Sequence, residues 1–176
     1  LNTHGVIDLS YLSSHDGIDA IISCWNGGME GGMAVADVIC GDVCPSGRLV
    51  DTFVSKLEDY PSHDSFTESD DFVEYTEDIY VGYRYFETIP NADKKVIYPF
   101  GYGLSYTTFD WSEYTVIEND DSFIVNVKVT NTGDYAGKET VQIYMQKPYT
   151  EYDKENQLEK ASVELVGYAK TKVLEP

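Results

Sequence analysis

Apolar and polar residues alternate in the last third of the chain, which indicates strands with one buried face. One such face would carry the apolar residues Phe123, Val125, Val127 and Val129. A period of two residues is typical of a half-buried β-strand. The same reasoning predicts strands near residues 112–117, 123–130, 139–146 and 163–170, with a turn at residues 131–134. Strands at this spacing, separated by turns, favour a β-sandwich.

The first third has a different pattern. Residues 18–25 form a short apolar run, which predicts a buried parallel strand. A segment rich in glycine follows at residues 26–32 and indicates a tight turn. Residues 33–40 are apolar apart from Asp37 and predict a buried helix that ends at Gly41. Strand, turn and buried helix together form one unit of an α/β layered domain.

The middle third predicts little regular structure. Residues 45–47 form a turn cluster, residues 49–54 favour an extended segment, and residues 58–71 lack periodicity. Six aromatic residues then fall between positions 72 and 87. We expect no long helix in this third. Tyrosine rings have a polar tip, so they suit a segment that packs against neighbouring domains, although exposed rings of this kind also bind sugars.

Composition and charge narrow the classes of partner. The chain has 176 residues and a net charge of −19, which disfavours nucleic acid and anionic membranes as partners but does not repel a neutral sugar. No apolar run approaches the ~20 residues that span a bilayer. Residues 27–32 lack the Lys-Ser/Thr that completes a phosphate-binding loop. These observations predict neither a nucleic-acid nor a membrane partner.

The cysteines do not indicate a metal site or a disulfide framework. There are three, an odd number, at positions 24, 40 and 44. Cys40 and Cys44 are four positions apart, but no second ligand pair accompanies them, and structural zinc normally needs four ligands. We therefore expect no metal and no cofactor.

Four sequence blocks resemble glycoside hydrolase family 3, in the order in which that family has them. They lie at residues 37–49, 74–86, 98–109 and 165–168, and the block at 98–109 is the most similar to the family. The chain departs from the family at Gly27-Gly28, Cys44 and Val50, where members usually have Pro-Gly, Asn and Pro. The resemblance implies the end of an α/β sandwich domain at residues 1–57, an aromatic connector at 58–109, and an incomplete fibronectin type III (immunoglobulin-like) β-sandwich at 110–176.

The resemblance also implies an activity for the full-length parent. Family members are retaining, exo-acting enzymes on β-linked sugars, with an Asp nucleophile on a barrel domain and a Glu acid/base on the α/β domain. We expect both carboxylates to lie outside these residues, so this chain has no catalytic residue and would be inactive alone. The parent would be a β-glucosidase of carbohydrate metabolism, and its barrel domain a partner of this segment.

Three residues attract attention as candidate site residues. Glu30 could face a substrate cleft, but a residue near a helix N-terminus is the simpler interpretation. Trp25 could stack on a sugar ring, but a strand-end aromatic more often belongs to the core. Arg48 is expected to form a structural ion pair with an aspartate such as Asp42 or Asp51 rather than to contact substrate.

A rival interpretation is a non-catalytic immunoglobulin-like module that binds glycans or protein. The sequence leaves open the sugar, the oligomeric state and the compartment, which could be the bacterial cytoplasm or the exterior.

Overall fold

The structure is a computed structural model that describes residues 1–176, apart from the side chain of Ser13. Its α-helices are α1 (Ser10–Ser14), α2 (Gly31–Cys40), α3 (Tyr83–Thr88) and α4 (Glu151–Glu155). Its strands are β1 (Phe53–Val54), β2 (Val96–Tyr98), β3 (Phe109–Glu118), β4 (Phe123–Asn131), β5 (Thr140–Gln146) and β6 (Val163–Lys170). Short 3₁₀ turns lie at Leu57–Asp59, Asp78–Tyr80 and Asp93–Lys95.

The four long strands form two antiparallel pairs, β3 with β4 and β5 with β6. The alternation in β4 is real, because Val125, Val127 and Val129 are half-buried while their neighbours are exposed. The predicted strands are therefore confirmed, and β3 and β4 extend slightly beyond the predicted limits. Asn131 closes the turn after β4 by accepting the amide of Gly133 on its side-chain oxygen at 3.1 Å.

The buried core lies between residues 60–92 and the short sheet of β1 and β2. Val54, Phe86 and Ala92 are each 3% exposed and form its centre. Tyr60 packs edge-on against Phe86 with ring centroids 6.1 Å apart. The hydroxyl of Tyr60 donates a 2.6 Å hydrogen bond to the carbonyl of Thr52. The aromatic-rich segment at residues 60–92 thus packs back onto the chain just before it. No long helix forms in the middle third, as predicted.

Helix α2 forms where predicted and ends at Gly41, which adopts the left-handed conformation with φ of 83°. The prediction that this helix is buried is wrong for the described residues. Met33 and Ile39 are each 65% exposed, and α2 contains no buried residue. An apolar helix is buried only where another layer covers it, and the described part of the chain supplies no sheet over these faces.

The predicted strand at residues 18–25 is also wrong for this chain. The segment has no strand partner. Its backbone bonds to a local turn, through the Ile18 amide to the His15 carbonyl at 3.1 Å, and to the N-terminus: Cys24 donates to the Leu1 carbonyl at 2.8 Å, and the Leu1 amino group donates to the Ile22 carbonyl. An isolated extended segment cannot satisfy its backbone in a ladder, because a strand exists only beside another strand. The mixed α/β fold is therefore present, with small antiparallel sheets instead of a layered parallel sheet.

Candidate functional site

The junction between the first third of the chain and the strands is held by an ion pair. Arg48 Nη2 contacts Glu139 Oε1, and the two side chains are 14% and 10% exposed. Glu139 Oε1 also accepts the backbone N–H of Thr140 at 2.6 Å. The expected partners of Arg48, Asp42 and Asp51, were wrong, because the fold brings a residue 91 positions away to the guanidinium.

Further contacts fasten the loop of residues 44–49 to β5 and β6. The Thr140 hydroxyl donates to the carbonyl of Ser46 at 3.2 Å, and Lys170 Nζ donates to the same carbonyl at 2.9 Å. On the other side of the loop, Cys44 Sγ lies 3.1 Å from Ser105 Oγ. The turn-rich loop therefore lies between two separate parts of the chain.

Gly101 and Gly103 allow residues 101–103 to pack closely against the loop of residues 44–49. The Leu49 amide donates to the Tyr102 carbonyl and the Gly101 amide donates to the Leu49 carbonyl, both at 2.8 Å. Gly101 has φ of 80°, which glycine adopts at no steric cost. At Gly103, a Cβ would overlap the carbonyl oxygen of Gly47. Gly101 is therefore required by its positive φ, and Gly103 by its close packing against the loop.

An open cleft of about 800 Å³ lies between residues 83–100 and β5, and we call it the aromatic cleft. Its aromatic lining consists of Tyr83, Phe86, Phe100 and Tyr144. Tyr83 stacks on Phe100 with centroids 4.6 Å apart, and Tyr144 meets Tyr83 edge-on at 6.0 Å. The Leu165 amide donates to the Tyr83 hydroxyl at 2.8 Å, and the Tyr144 hydroxyl donates to Gln142 Oε1 at 2.6 Å. Hydrogen bonds therefore hold the positions of both tyrosines.

Polar side chains also line the aromatic cleft. The side chains of Glu87 and Asp93 are exposed, and neither has a hydrogen bond or ion pair with any described side chain. Thr52 is 4% exposed, and its hydroxyl oxygen is buried without a hydrogen-bond partner among the described residues. Burial raises the pKa of Tyr144, and the nearby Tyr83 and Glu87 raise it further. The Tyr144 hydroxyl is therefore a neutral donor at ordinary pH.

The two candidates from the sequence lie outside this cleft. Glu30 is the residue before α2; its side chain is exposed and makes no capping bond to the helix. Trp25 is half-buried, has a positive φ of 48°, and packs against Phe53 with ring centroids 6.4 Å apart. No described contact joins the two residues. Their roles as substrate contacts stay predictions.

The site residues that sequence reasoning missed are Glu139, Thr52 and Gln142. None of them stands in a local motif, and each acquires its place only when distant segments dock. The density of aromatic residues in positions 72–109 was the signal that marked the region of the aromatic cleft.

The described residues contain neither a candidate metal cluster nor a helix that could span a membrane. No group of three His, Cys, Asp or Glu side chains comes together as a metal cluster there. The longest described helix has 10 residues, and none has the length and hydropathy of a membrane span. Cys24, Cys40 and Cys44 are free thiols.

The junction joins a part with helices and short strands to two pairs of antiparallel β-strands. The family model of the glycosyl hydrolase family 3 C-terminal domain matches residues 1–106. The chain therefore belongs to glycosyl hydrolase family 3.

Matches to individual relatives cover the whole chain, including the β-strands that follow residue 106. The chain is 48% identical over 191 residues to beta-glucosidase A of Butyrivibrio fibrisolvens, a match that covers 100% of this chain and 22% of the relative. It is 43% identical to a beta-glucosidase of Ruminococcus albus, covering 100% of this chain and 17% of that protein.

Solved structures show the same likeness. A beta-glucosidase from Paenibacillus barengoltzii is 45% identical with a TM-score of 0.86, over 99% of this chain and 19% of that chain. The chain spans about a fifth of the length of these relatives.

Proposed function

We propose that this chain is a non-catalytic part of a retaining, exo-acting β-glucosidase of carbohydrate metabolism that cleaves terminal β-linked sugars. The support is that the relatives from Butyrivibrio and Ruminococcus, which match the whole chain, are named as beta-glucosidases. These names favour the enzyme over the rival interpretation, an immunoglobulin-like binding module.

Within the parent, we assign residues 1–57 to the end of the α/β sandwich domain, 58–109 to the connector and 110–176 to the start of a fibronectin type III-like sandwich. The two antiparallel strand pairs support the last assignment, because such a sandwich has two facing sheets of about seven strands in all. An apolar groove is lined by residues of both pairs, Trp111 and Val125 from one and Val141 and Ile143 from the other, as expected for two facing sheets.

Catalysis would be carried by groups outside these residues. Retention requires two carboxyl groups about 5–5.5 Å apart, one attacking the anomeric carbon and one protonating the leaving oxygen. In the family these are an Asp on the barrel and a Glu on the α/β domain, and no acidic residue of this chain stands in either motif. The substrate would be a β-linked oligosaccharide or glycoside, bound by the full enzyme.

The role of this segment would be to fix the orientation of the β-strands against the α/β part. The buried Arg48–Glu139 ion pair carries this proposal, because it crosses the junction and both of its members are largely shielded from water. A rigid junction holds catalytic groups on neighbouring domains in constant geometry, and small displacements of such groups cost rate.

Two measurements test the proposal. The purified full-length parent is incubated with nitrophenyl β-glucoside, and proton NMR follows the anomer that is released first. Hydrolysis that yields the β-anomer first supports a retaining β-glucosidase, while no hydrolysis or the α-anomer contradicts it. In parallel, the 176-residue chain alone should release no nitrophenol above buffer. Turnover that disappears when one Asp or Glu of this chain is replaced would show that the chain is catalytic.

A further inference from the structure

We propose that Asn26 is a site of spontaneous deamidation, in which the backbone nitrogen of Gly27 attacks the side-chain amide and converts the residue to aspartate and isoaspartate. The proposal concerns a covalent modification of this chain and is independent of the reaction that the parent performs. It rests on the absence of a side chain at position 27, on the hydrogen bonding of the Gly27 amide and on a contrast with other exposed asparagines.

The local sequence and structure favour this reaction at one place. Asn26 and Gly27 form the one Asn-Gly pair in the sequence. Both residues are exposed and lie outside the helices and strands, between the segment at 18–25 and helix α2. Glycine has no Cβ to hinder the approach of its nitrogen to the neighbouring side chain, and its backbone reaches conformations that other residues avoid. Asparagine is in addition one of the thermolabile residue types.

The nucleophile of the reaction is the Gly27 nitrogen, and its N–H has no hydrogen-bond partner among the described residues. A backbone amide that donates to a carbonyl must give up that bond before it can react, and the bond stabilises the unreacted state. The Asn26 side chain makes one described bond, between its Nδ2 and His4 Nδ1 at 2.8 Å. This bond engages the nitrogen that leaves, whereas the side-chain carbonyl oxygen has no partner in the described part of the chain.

Two other exposed asparagines provide the contrast. Asn91 and Asn156 are each followed by a residue whose amide donates to a backbone carbonyl, at 3.1 Å for Ala92 and 3.3 Å for Gln157. Both following residues also carry a Cβ. The same reaction should therefore be slower at these asparagines than at Asn26, in the same chain and the same solution.

The reaction balances with water as the co-reactant. The Gly27 nitrogen loses its proton to solvent and bonds to Asn26 Cγ, the Cγ–Nδ2 bond breaks, and Nδ2 leaves as ammonia after taking up a proton from solvent. Water then opens the resulting succinimide ring by breaking a bond to the Gly27 nitrogen. Opening at Cγ gives aspartate, whereas opening at the main-chain carbonyl carbon gives isoaspartate, whose main chain runs through the former side chain.

Isoaspartate would disturb the start of helix α2. The turn before the helix is tight, because the Gly31 amide donates to the Gly28 carbonyl at 3.2 Å and a Cβ at position 27 would lie 2.6 Å from Gly31 Cα. Isoaspartate adds an extra carbon to the main chain at position 26 and so moves Gly27 relative to Gly31. We therefore expect the conversion to lower the Tm.

The test incubates the full-length parent at mildly acidic and at mildly alkaline pH and compares it with an unincubated sample. Peptide mapping by mass spectrometry with electron-transfer fragmentation distinguishes asparagine, aspartate and isoaspartate at each position. We expect isoaspartate at Asn26, formed faster at alkaline pH because the attacking amide must lose its proton, and formed roughly tenfold faster than at Asn156. No conversion at Asn26, conversion to aspartate without isoaspartate, or equal conversion at Asn156 overturns the proposal.

Gln157→Gly separates the effect of the free amide from that of glycine itself. Gln157 has a positive φ of 52°, so glycine fits there, and the amide at this position donates to the Lys154 carbonyl. Asn156 in this variant should still convert severalfold more slowly than Asn26, and equal rates would overturn the role of the free amide.

Asn26→Gln is the control for the effect on the helix, because a longer side chain closes the ring less readily. The Tm of this variant should stay constant during incubation, while the Tm of the wild type falls as isoaspartate accumulates. A wild-type Tm that stays constant despite the accumulation would overturn the effect on α2.

Discussion

Arg48 and Glu139, which are 91 positions apart, form a largely buried ion pair across the junction between the loop at 44–49 and strand β5. Glu139 also accepts the Thr140 amide, so the carboxylate is held by two donors. Buried charges are tolerated when they are paired and hydrogen-bonded, and the removal of one partner leaves the other charge desolvated.

The first prediction concerns this pair in the full-length parent. Arg48→Ala should destabilise the protein by about 3 kcal/mol, because it leaves the Glu139 carboxylate buried and unpaired. Lys128→Ala breaks the exposed Lys128–Glu113 pair, whose side chains are 57% and 70% exposed, and should cost no more than about 1 kcal/mol. Urea unfolding followed by circular dichroism measures both. Equal effects of the two substitutions would show that the junction pair is no stronger than a surface pair.

The second prediction concerns Gly101 and Gly103, which allow close packing against the loop of residues 44–49. Gly103→Val should destabilise the parent by about 1–3 kcal/mol, because a Cβ would overlap the Gly47 carbonyl and lie 3.1 Å from Arg48 Cδ. Gly101→Val should also destabilise it, because the φ of 80° disfavours a β-branched residue. Gly167→Ala is the control, since its Cβ would make only ordinary contacts with Ile143 at 3.7 Å. The measurement is the thermal midpoint of unfolding of each variant. If both valine variants unfold at the same midpoint as the wild type, these glycines have no backbone role.

The third prediction is a pH dependence at α4. Asp153 accepts Lys160 Nζ at 2.5 Å and the amide and hydroxyl of Thr150 at 2.6 Å, and these bonds lower the pKa of its carboxyl to about 2. Because the folded pKa lies below the ordinary value of 3.8, the unfolded chain takes up the proton first as the pH falls. The stabilising contribution is therefore complete above about pH 5 and is lost as the pH falls through about 4 towards 2.

Asp153→Asn tests this dependence by thermal unfolding of the parent between pH 2 and pH 7. The difference in Tm from the wild type should be largest above about pH 5 and should shrink below about pH 3. Glu151→Gln, in an exposed pair with Lys154, is the control and should show a small difference at every pH. A deficit of Asp153→Asn that is constant across the range would mean that the ionised carboxylate is not what stabilises the helix.

The sequence predicted the local elements better than it predicted their partners. The bounds of β6 and the end of α2 at Gly41 follow from periodicity and from glycine, both of which are properties of neighbouring residues. Arg48 was assigned to nearby aspartates, and its partner proved to be Glu139, because docking of distant segments decides which carboxylate reaches it. Residues 18–25 have the composition of a buried strand, but composition cannot provide the neighbouring strand that a ladder requires. Burial of the Thr52 hydroxyl had no signal in the sequence, because it depends on the packing of the folded chain.

The last prediction concerns the uncovered faces of the paired strands. Phe123 is 62% exposed, Val116 59% and Ile117 50%, and no side chain of the described residues is less than 2% exposed. Burying a residue of this kind contributes roughly 1.5–3 kcal/mol, so several left in water amount to much of the ~5–15 kcal/mol that separates folded from unfolded domains. The outer edges of β3, β4, β5 and β6 also present unpaired backbone groups, which template association with other chains.

We therefore expect the 176-residue chain alone to be oligomeric, aggregation-prone or partly unfolded. A longer chain that continues into the parent's next residues should fold stably. Sedimentation velocity measures the association state of both chains, and hydrogen exchange measures the protection of amides 123–129 in β4. The longer chain should be a discrete species with stronger protection there, because further strands cover the apolar faces. If the 176-residue chain is a monomer whose β4 amides are as well protected as in the longer chain, the two strand pairs form a self-sufficient fold and the proposed division at 110–176 is wrong.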